Sequence, residues 1–156
     1  MGQSYRSLAT IVATSLLLTV VSQIVYMVTL SEVGIIDGWP LRSSIWTIEL
    51  LFFTIISVAG LAAMVRSSHL QLAWAAIAVS GLINMLQAGI GLSMFLPASQ
   101  AGDDFAPLMD TVLGGAFIFY FLAKILVGFA GAIFGILLFR GGSITPKIVG
   151  AFAVLT

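Results

Sequence analysis

The sequence predicts an all-α integral membrane protein, an antiparallel bundle of four transmembrane helices with the start of a fifth. Hydrophobic residues make up 60% of the 156 residues and charged residues only 8%, whereas soluble domains carry about 25% charged residues. Four apolar stretches are each long enough to cross the hydrocarbon core, which takes about 20 helical residues. The connections between them are short. We therefore expect a single transmembrane helical domain over residues 1–156.

The first two spans are predicted at 8–30 and 45–65. The apolar run of the first exceeds the 7 to 15 or so residues of a signal-peptide core and has no A-x-A cleavage pattern, which indicates a retained anchor. Helical spacing gathers polar side chains on one of its sides: Ser15, Thr19, Ser22, Gln23 and Tyr26. The second span carries Glu49 one turn inside its outer end.

The third span, 71–96, has a stripe of small and amide-bearing residues: Ala76, Ser80, Asn84, Gln87 and Gly91. The fourth, 111–139, contains the segment "FYFLAKILVGFAG" with Lys124 in its middle. Lys124, Gly128, Gly131 and Gly135 follow helical spacing along one stripe, and the last two form a G-x-x-x-G pattern. This stripe predicts close packing of the fourth helix against another helix.

The chain ends with "RGGSITPKIVGAFAVLT". Arg140 and the following glycine pair indicate a helix end, and Thr145 with Pro146 indicates the start of another helix over 146–156. This stretch is about half the length of a span, so it is either an interfacial stub or an incomplete fifth transmembrane helix. The second interpretation is favoured because the segment is apolar on every face.

Basic residues near the helix ends predict the orientation, since Lys and Arg stay on the cytoplasmic side. Arg42 alone then lies on the outer side. The four other basic residues near helix ends share the cytoplasmic side: Arg6, Arg66, Arg140 and Lys147. The N-terminus is thus expected in the cytoplasm, and loops 31–44 and 97–110 outside. Trp39 and Trp46 fall near the outer interface and Trp74 near the inner one, where such aromatics concentrate.

The order of spans, with the segment "RSSHLQLAWAAIAVSGLINMLQAGIG" and the ending "FGILLFRGGSITPKIVGAFAVL", resembles a family of bacterial multi-pass inner-membrane proteins of unknown function. Arg140-Gly141, Pro146-Lys147 and Gly150 match its basic-Gly and Pro-basic-x-x-Gly turn. The resemblance covers nearly the whole chain in outline. It implies a bacterial inner-membrane location and one or two further helices after Thr156, and it implies no activity.

Lys124 requires a polar environment because an ionisable group at bilayer depth costs at least ~3 kcal/mol. We expect it to be buried against neighbouring helices and to pair with Glu49 in an intramembrane polar cluster with Gln23, Asn84 and Gln87. Depth along the helices places most of this set in the outer half of the bilayer. Two alternatives stay open: the polar groups only hold helices together, or Glu49 simply reaches the outer interface.

Other site types find little support. Asp103, Asp104 and Asp110 have no EF-hand spacing and are interpreted as a solvated loop, with Asp110 as N-cap of the fourth helix, so no metal is predicted. Cysteine is absent, which excludes thiolate chemistry, and His69 cannot supply paired axial haem ligation, so no cofactor is predicted. A net charge of zero gives no footprint for nucleic acid.

Three function classes follow, in order of preference. The first is a non-catalytic accessory or structural subunit of a larger membrane assembly, with lipid and other membrane subunits, or copies of itself, as partners. The second is a transporter or permeation element that uses the Glu49 and Lys124 cluster. The third, an intramembrane enzyme, is disfavoured because no Ser/His, paired-Asp or metal-ligand constellation is found.

Overall fold

The computed structural model of the chain describes residues 4–102 and 106–140. They form four long helices: α1 Tyr5–Leu30, α2 Trp39–Arg66, α3 Gln71–Gln100 and α4 Ala106–Arg140. All four are long and apolar enough to cross a membrane. The predicted all-α, multi-pass membrane architecture is therefore confirmed. The expected fifth helix at 146–156 lies outside the described residues.

Three helices begin earlier than the apolar pattern predicted, and two of them have a proline in the first turn. Pro40 follows the first residue of α2, and Pro107 follows the first residue of α4. Proline suits this position because its φ angle is already helical and no intrahelical bond requires its missing N–H. Asp110 consequently lies inside α4, exposed, and the prediction that it caps this helix was wrong.

Helix α3 continues past its predicted end because it contains one wide turn. Residues Gly91–Phe95 form a π-helical segment, and Pro97 follows after one intervening residue. The proline has no N–H to offer the carbonyl one turn earlier, and a π turn is a common way to accommodate such a defect. The wide turn also brings Gly91 against Trp46, where a Cβ would lie 3.0 Å from the indole ring.

The helices pack in chain order. Helix α1 lies along α2, α2 along α3, and α3 along α4, whereas α1 and α4 barely touch each other. The connection at residues 31–38 and the end of α3 lie at one end of the bundle, which we call the distal end. The N-terminus, residues 67–70 and Arg140 lie at the other, the N-terminal end. The two central helices, α2 and α3, are the more buried.

The contact between α2 and α3 depends on small residues. A Cβ on Gly81 would lie 2.4 Å from Ser57 Oγ and 2.9 Å from the carbonyl oxygen of Phe53, and one on Gly60 would lie 3.2 Å from the Ala78 Cβ. Ser57 uses this proximity to donate a hydrogen bond of 3.0 Å to the Ala78 carbonyl. Sequence reasoning missed this contact, although Ser57, Gly60 and Ala63 recur at the spacing of one helix face.

The glycine stripe predicted on α4 is packed in part. Gly135 is buried and Gly131 half-buried, but Gly128 is exposed and has open space within 4 Å of its Cβ position. The expected close helix contact at Gly128 is therefore not made by the described residues. The reason is the position of α4 at the edge of the bundle, where only its α3-facing side is covered.

Candidate functional site

Glu49 is a carboxylate inside the bundle. It follows Ile45 by one helical turn and precedes Phe53 by another, so it belongs to the inward face of α2, and it is only 3% exposed. Two residues of α1 donate hydrogen bonds to one of its oxygens, Oε1: the Ser22 hydroxyl and the Gln23 side-chain amide, the latter at 2.6 Å. These bonds offset part of the cost of placing a carboxylate away from water.

The second carboxylate oxygen, Oε2, makes no hydrogen bond to the described residues. Glu49 instead lines a cavity of about 330 Å³, together with Gln23 of α1 and Gln87 of α3. Gln87 is half-buried, and its amide likewise has no partner among the described side chains and backbone groups. The cavity therefore holds a carboxylate oxygen and an amide that are both available for a ligand.

Aromatic side chains form a large part of the cavity wall. All four helices contribute, and the wall includes Tyr26, Trp46, Phe53, Phe95, Phe117 and Tyr120. Trp46 holds the distal part together, since it stacks on Tyr26 at 5.9 Å between ring centroids and meets Phe95 edge-on at 5.3 Å. Cavities of this volume, mostly apolar with a few polar groups, are the usual form of small-molecule sites.

The cavity lies between α1 and α4, the two helices that barely touch. Its two most exposed lining residues are Met27 on α1 and Phe117 on α4. They flank the mouth, which opens sideways between these helices. Toward the N-terminal end Trp74 of α3 closes the gap between α1 and α4. Its ring contacts the rings of Tyr5 in α1 and Phe134 in α4, at centroid distances of 6.0 and 5.3 Å.

Lys124 is placed differently from the prediction. Its side chain is exposed at the surface of α4, and its ammonium lies 4.8 Å from the centroid of the Tyr120 ring, a cation–π contact. The expectation that it would be buried against neighbouring helices was wrong, because α4 is an edge helix. Glu49 and Lys124 lie near enough for Coulombic attraction but form no direct hydrogen bond.

The separation has a simple geometric cause. Ser80 of α3 donates a hydrogen bond of 3.0 Å to the Ala123 carbonyl, which fixes Lys124 near the level of Ser80. Glu49 lies instead at the level of Gln87, with which it shares the cavity. Seven residues of helix separate Ser80 from Gln87, so Lys124 lies about 10 Å closer to the N-terminal end.

Asn84 belongs to the predicted cluster but is buried away from the cavity. It is 4% exposed, its amide nitrogen donates to the Ser80 carbonyl at 3.0 Å, and its oxygen Oδ1 has no partner among the described residues. It does not line the cavity. Of the five predicted cluster residues, the structure thus brings together Gln23, Glu49 and Gln87, and Lys124 lies next to the cavity through Tyr120.

Arg42 is a buried charge that sequence reasoning treated only as a topology signal. It is 6% exposed and reaches the C-terminal end of α1, where it donates to the Leu30 carbonyl at 2.8 Å, to the Val33 carbonyl and to the Tyr26 hydroxyl. Carbonyls at a helix end lack intrahelical partners and favour a cation. Arg42 therefore positions Tyr26, a cavity wall residue, as well as closing α1.

The described residues also bear on His69 and on the question of a metal site. His69 is exposed in the connection between α2 and α3, in keeping with its interpretation as a loop residue. Residues 4–102 and 106–140 hold no group of three or more His, Cys, Asp or Glu side chains arranged for a metal ion. Asp103 and Asp104 lie outside the described residues.

Comparison of the chain with protein-family models, with curated proteins and with solved structures finds no match. The resemblance to a bacterial inner-membrane family thus stays a prediction.

Proposed function

We propose that this chain is a non-catalytic, multi-pass subunit of a larger membrane assembly and that the exposed side of α4 is its interface. The observation that carries the proposal is the exposed position of Lys124. Between Lys124 and Arg140 the helix has no other polar side chain over residues 125–139, about 22 Å of apolar helix. Toward the distal end Thr111 and Asp110 are 13 and 14 residues away, about 20 Å, so the lysine stem is too short to bring the ammonium into water at either end.

An ammonium group facing lipid at this depth costs at least ~3 kcal/mol, so an assembly in which another helix supplies acceptors for it is favoured. Gly128 follows one turn later on the same side, with open space at its Cβ position. Small residues beside a polar group let a second helix approach closely in lipid. The partner expected at this surface is a transmembrane helix with an acidic or amide side chain, from another subunit or a second copy.

The test compares two glycine variants in α4. Gly128→Leu fills the proposed interface, and Gly115→Leu is the matched control, because both glycines have open space around their Cβ positions. Thirteen residues separate them, which places Gly115 on a different side of α4 from Gly128 and Lys124. Neither change should unfold the chain, and native mass measurement after mild-detergent extraction reports the assembly.

We expect the wild type and Gly115→Leu to be recovered as the same stoichiometric complex, and Gly128→Leu to be recovered as a folded chain without its partner. A single uncomplexed species in all three samples, or an intact complex in Gly128→Leu, would contradict the proposed interface.

A second candidate function, transport or permeation, is favoured by one observation: Glu49 offers a carboxylate oxygen to a cavity that opens on the membrane. Ionisable residues at bilayer depth are usual in proton and substrate pathways. Proton flux into vesicles that contain the purified chain would support this candidate if Glu49→Gln abolished it. Flux equal to that of empty vesicles would remove the support.

A further inference from the structure

We propose that the cavity between α1 and α4 is a binding site for a small amphiphilic amine in its protonated form. Its ammonium group would bind Glu49 Oε2, and its apolar part would lie among the aromatic side chains. The inference does not depend on the α4 interface, because Gly128 does not line the cavity and the ligand contacts only residues of this chain.

The charge of the site selects the ligand class. Glu49 is buried, and its hydrogen bonds come from the neutral donors Ser22 and Gln23. No Lys or Arg side chain of the described residues bonds to it, and Lys124 is held on the face of Tyr120. A buried carboxylate is stabilised most by a cation in direct contact, and the free Oε2 is the place where such a cation would bind.

The wall chemistry agrees with this choice. The aromatic rings of the wall suit the apolar part of a ligand, because the faces of Tyr26 and Tyr120 already carry the cations of Arg42 and Lys124, at 5.1 and 4.8 Å from the ring centroids. The Gln87 amide oxygen can accept an N–H from the ammonium group of the ligand. A primary or secondary ammonium, which donates hydrogen bonds, therefore fits better than a neutral alcohol or an anion.

The route to the site indicates the rest of the molecule. The mouth lies between Met27 and Phe117, both exposed on the membrane-facing surface of the bundle. A ligand that enters there must first partition into the bilayer, which selects an amine with an apolar body. The volume of about 330 Å³ lies at the lower limit of typical ligand cavities, so the body must be compact.

The experiment measures equilibrium binding of 2-phenylethylammonium and of its neutral counterpart 2-phenylethanol to the chain in lipid nanodiscs. Empty nanodiscs give the lipid partition to subtract. Glu49→Gln removes the charge and keeps the shape, and Glu32→Gln is the matched control, since Glu32 is exposed in the connection after α1. Charge-assisted hydrogen bonds predict about 10- to 100-fold weaker ammonium binding in Glu49→Gln, and no change in Glu32→Gln.

The alcohol should bind the wild type more weakly than the ammonium, and Glu49→Gln should leave alcohol binding unchanged. A third variant, Ala116→Leu, keeps the carboxylate and narrows the cavity, because Ala116 is buried in its wall. It should weaken both probes. Thermal unfolding shows whether Glu49→Gln folds. If it does not, weaker binding of both probes to Ala116→Leu tests whether the cavity is the binding site.

Equal affinity for the two probes, equal ammonium affinity in Glu49→Gln and Glu32→Gln, or wild-type affinity in Ala116→Leu would each overturn the proposal. Gly128→Leu should bind the ammonium as the wild type does, whatever its effect on the assembly. The two proposals therefore fail independently.

Discussion

The approach of α2 and α3 at Gly81 predicts a large loss of stability for a very small change. Gly81→Ala places a methyl group 2.4 Å from Ser57 Oγ, 2.9 Å from the Phe53 carbonyl oxygen and 3.1 Å from the Ser57 backbone nitrogen. A serine side chain can rotate, but the two backbone atoms move only if the helices separate. Overpacking of this kind costs about 1–3 kcal/mol.

Separation of the helices would also break the hydrogen bond from Ser57 to the Ala78 carbonyl, which contributes roughly 0.6 kcal/mol in a membrane protein. The matched control is Gly89→Ala in the same helix, where nothing lies within 4 Å of the Cβ position. Both variants gain the same helix propensity, about 1 kcal/mol. Gly81→Ala should therefore be less stable than Gly89→Ala by about 2–4 kcal/mol.

Reversible unfolding in mixed micelles, with increasing sodium dodecyl sulfate, measures the free energy of unfolding of both variants. Adding Ser57→Ala to Gly81→Ala removes the shortest contact and leaves the carbonyl contact, so it should restore stability only in part. Equal free energies of unfolding for Gly81→Ala and Gly89→Ala would refute the close approach of the two backbones. Full recovery in the double variant would show that the backbone contacts are not limiting.

Three further predictions concern charged residues. Lys124→Met should strengthen 2-phenylethylammonium binding several-fold, because it removes a like charge near the site, and weaker binding would show instead that the lysine supports the ligand. Arg42→Gln should lower the free energy of unfolding by about 2–4 kcal/mol, because the carbonyls at the end of α1 lose their donor. The control Arg66→Gln, at an exposed position at the end of α2, should lower it by about 0.5 kcal/mol or less. In this cysteine-free chain, an impermeant thiol reagent should label Glu32→Cys from outside intact cells and His69→Cys only after lysis, and the reverse pattern would invert the proposed topology.

The sequence predicted the spans well and their ends less well, for a physical reason. Apolar length identifies the part of a helix that needs hydrocarbon, but helices continue beyond it as long as their backbone bonds are made. The early start of α2 depends on Pro40, and the extension of α3 to Gln100 depends on a π turn that no periodicity predicts. Neither Pro40 nor Pro97 interrupts its helix.

The site was predicted only as a set of residue types at similar depth. Gln23, Glu49 and Gln87 meet because α1, α2 and α3 turn their polar stripes toward one cavity, as helical spacing indicated. The exposed position of Lys124 could not be derived from helical spacing in the same way. Burial depends on which helices are neighbours, and nothing in the spacing of one helix shows that α1 and α4 are the two edges of the row.

Arg42 illustrates a different gap. It is a single basic residue at the distal end, and in the sequence its charge served only to predict the orientation in the membrane. Its structural role requires the first turn of α2 to lie beside the last turn of α1, so that the guanidinium reaches the Leu30 and Val33 carbonyls. The short connection of residues 31–38 was the available signal, because it forces two helix ends of opposite direction into contact.

The two proposals meet on one face of α4. Phe117, at the cavity mouth, and Lys124 are seven residues apart, so they lie on the same side of the helix two turns from each other. A partner helix that covers Lys124 and Gly128 would continue past Phe117 and obstruct the lateral opening between α1 and α4. Ligand entry and subunit association would then be coupled kinetically, since a bound partner slows ligand entry and ligand release alike and leaves the equilibrium affinity unchanged. Slower 2-phenylethylammonium binding to the intact assembly than to the Gly128→Leu chain would demonstrate this coupling, whereas equal association rates would show that the partner leaves the mouth open.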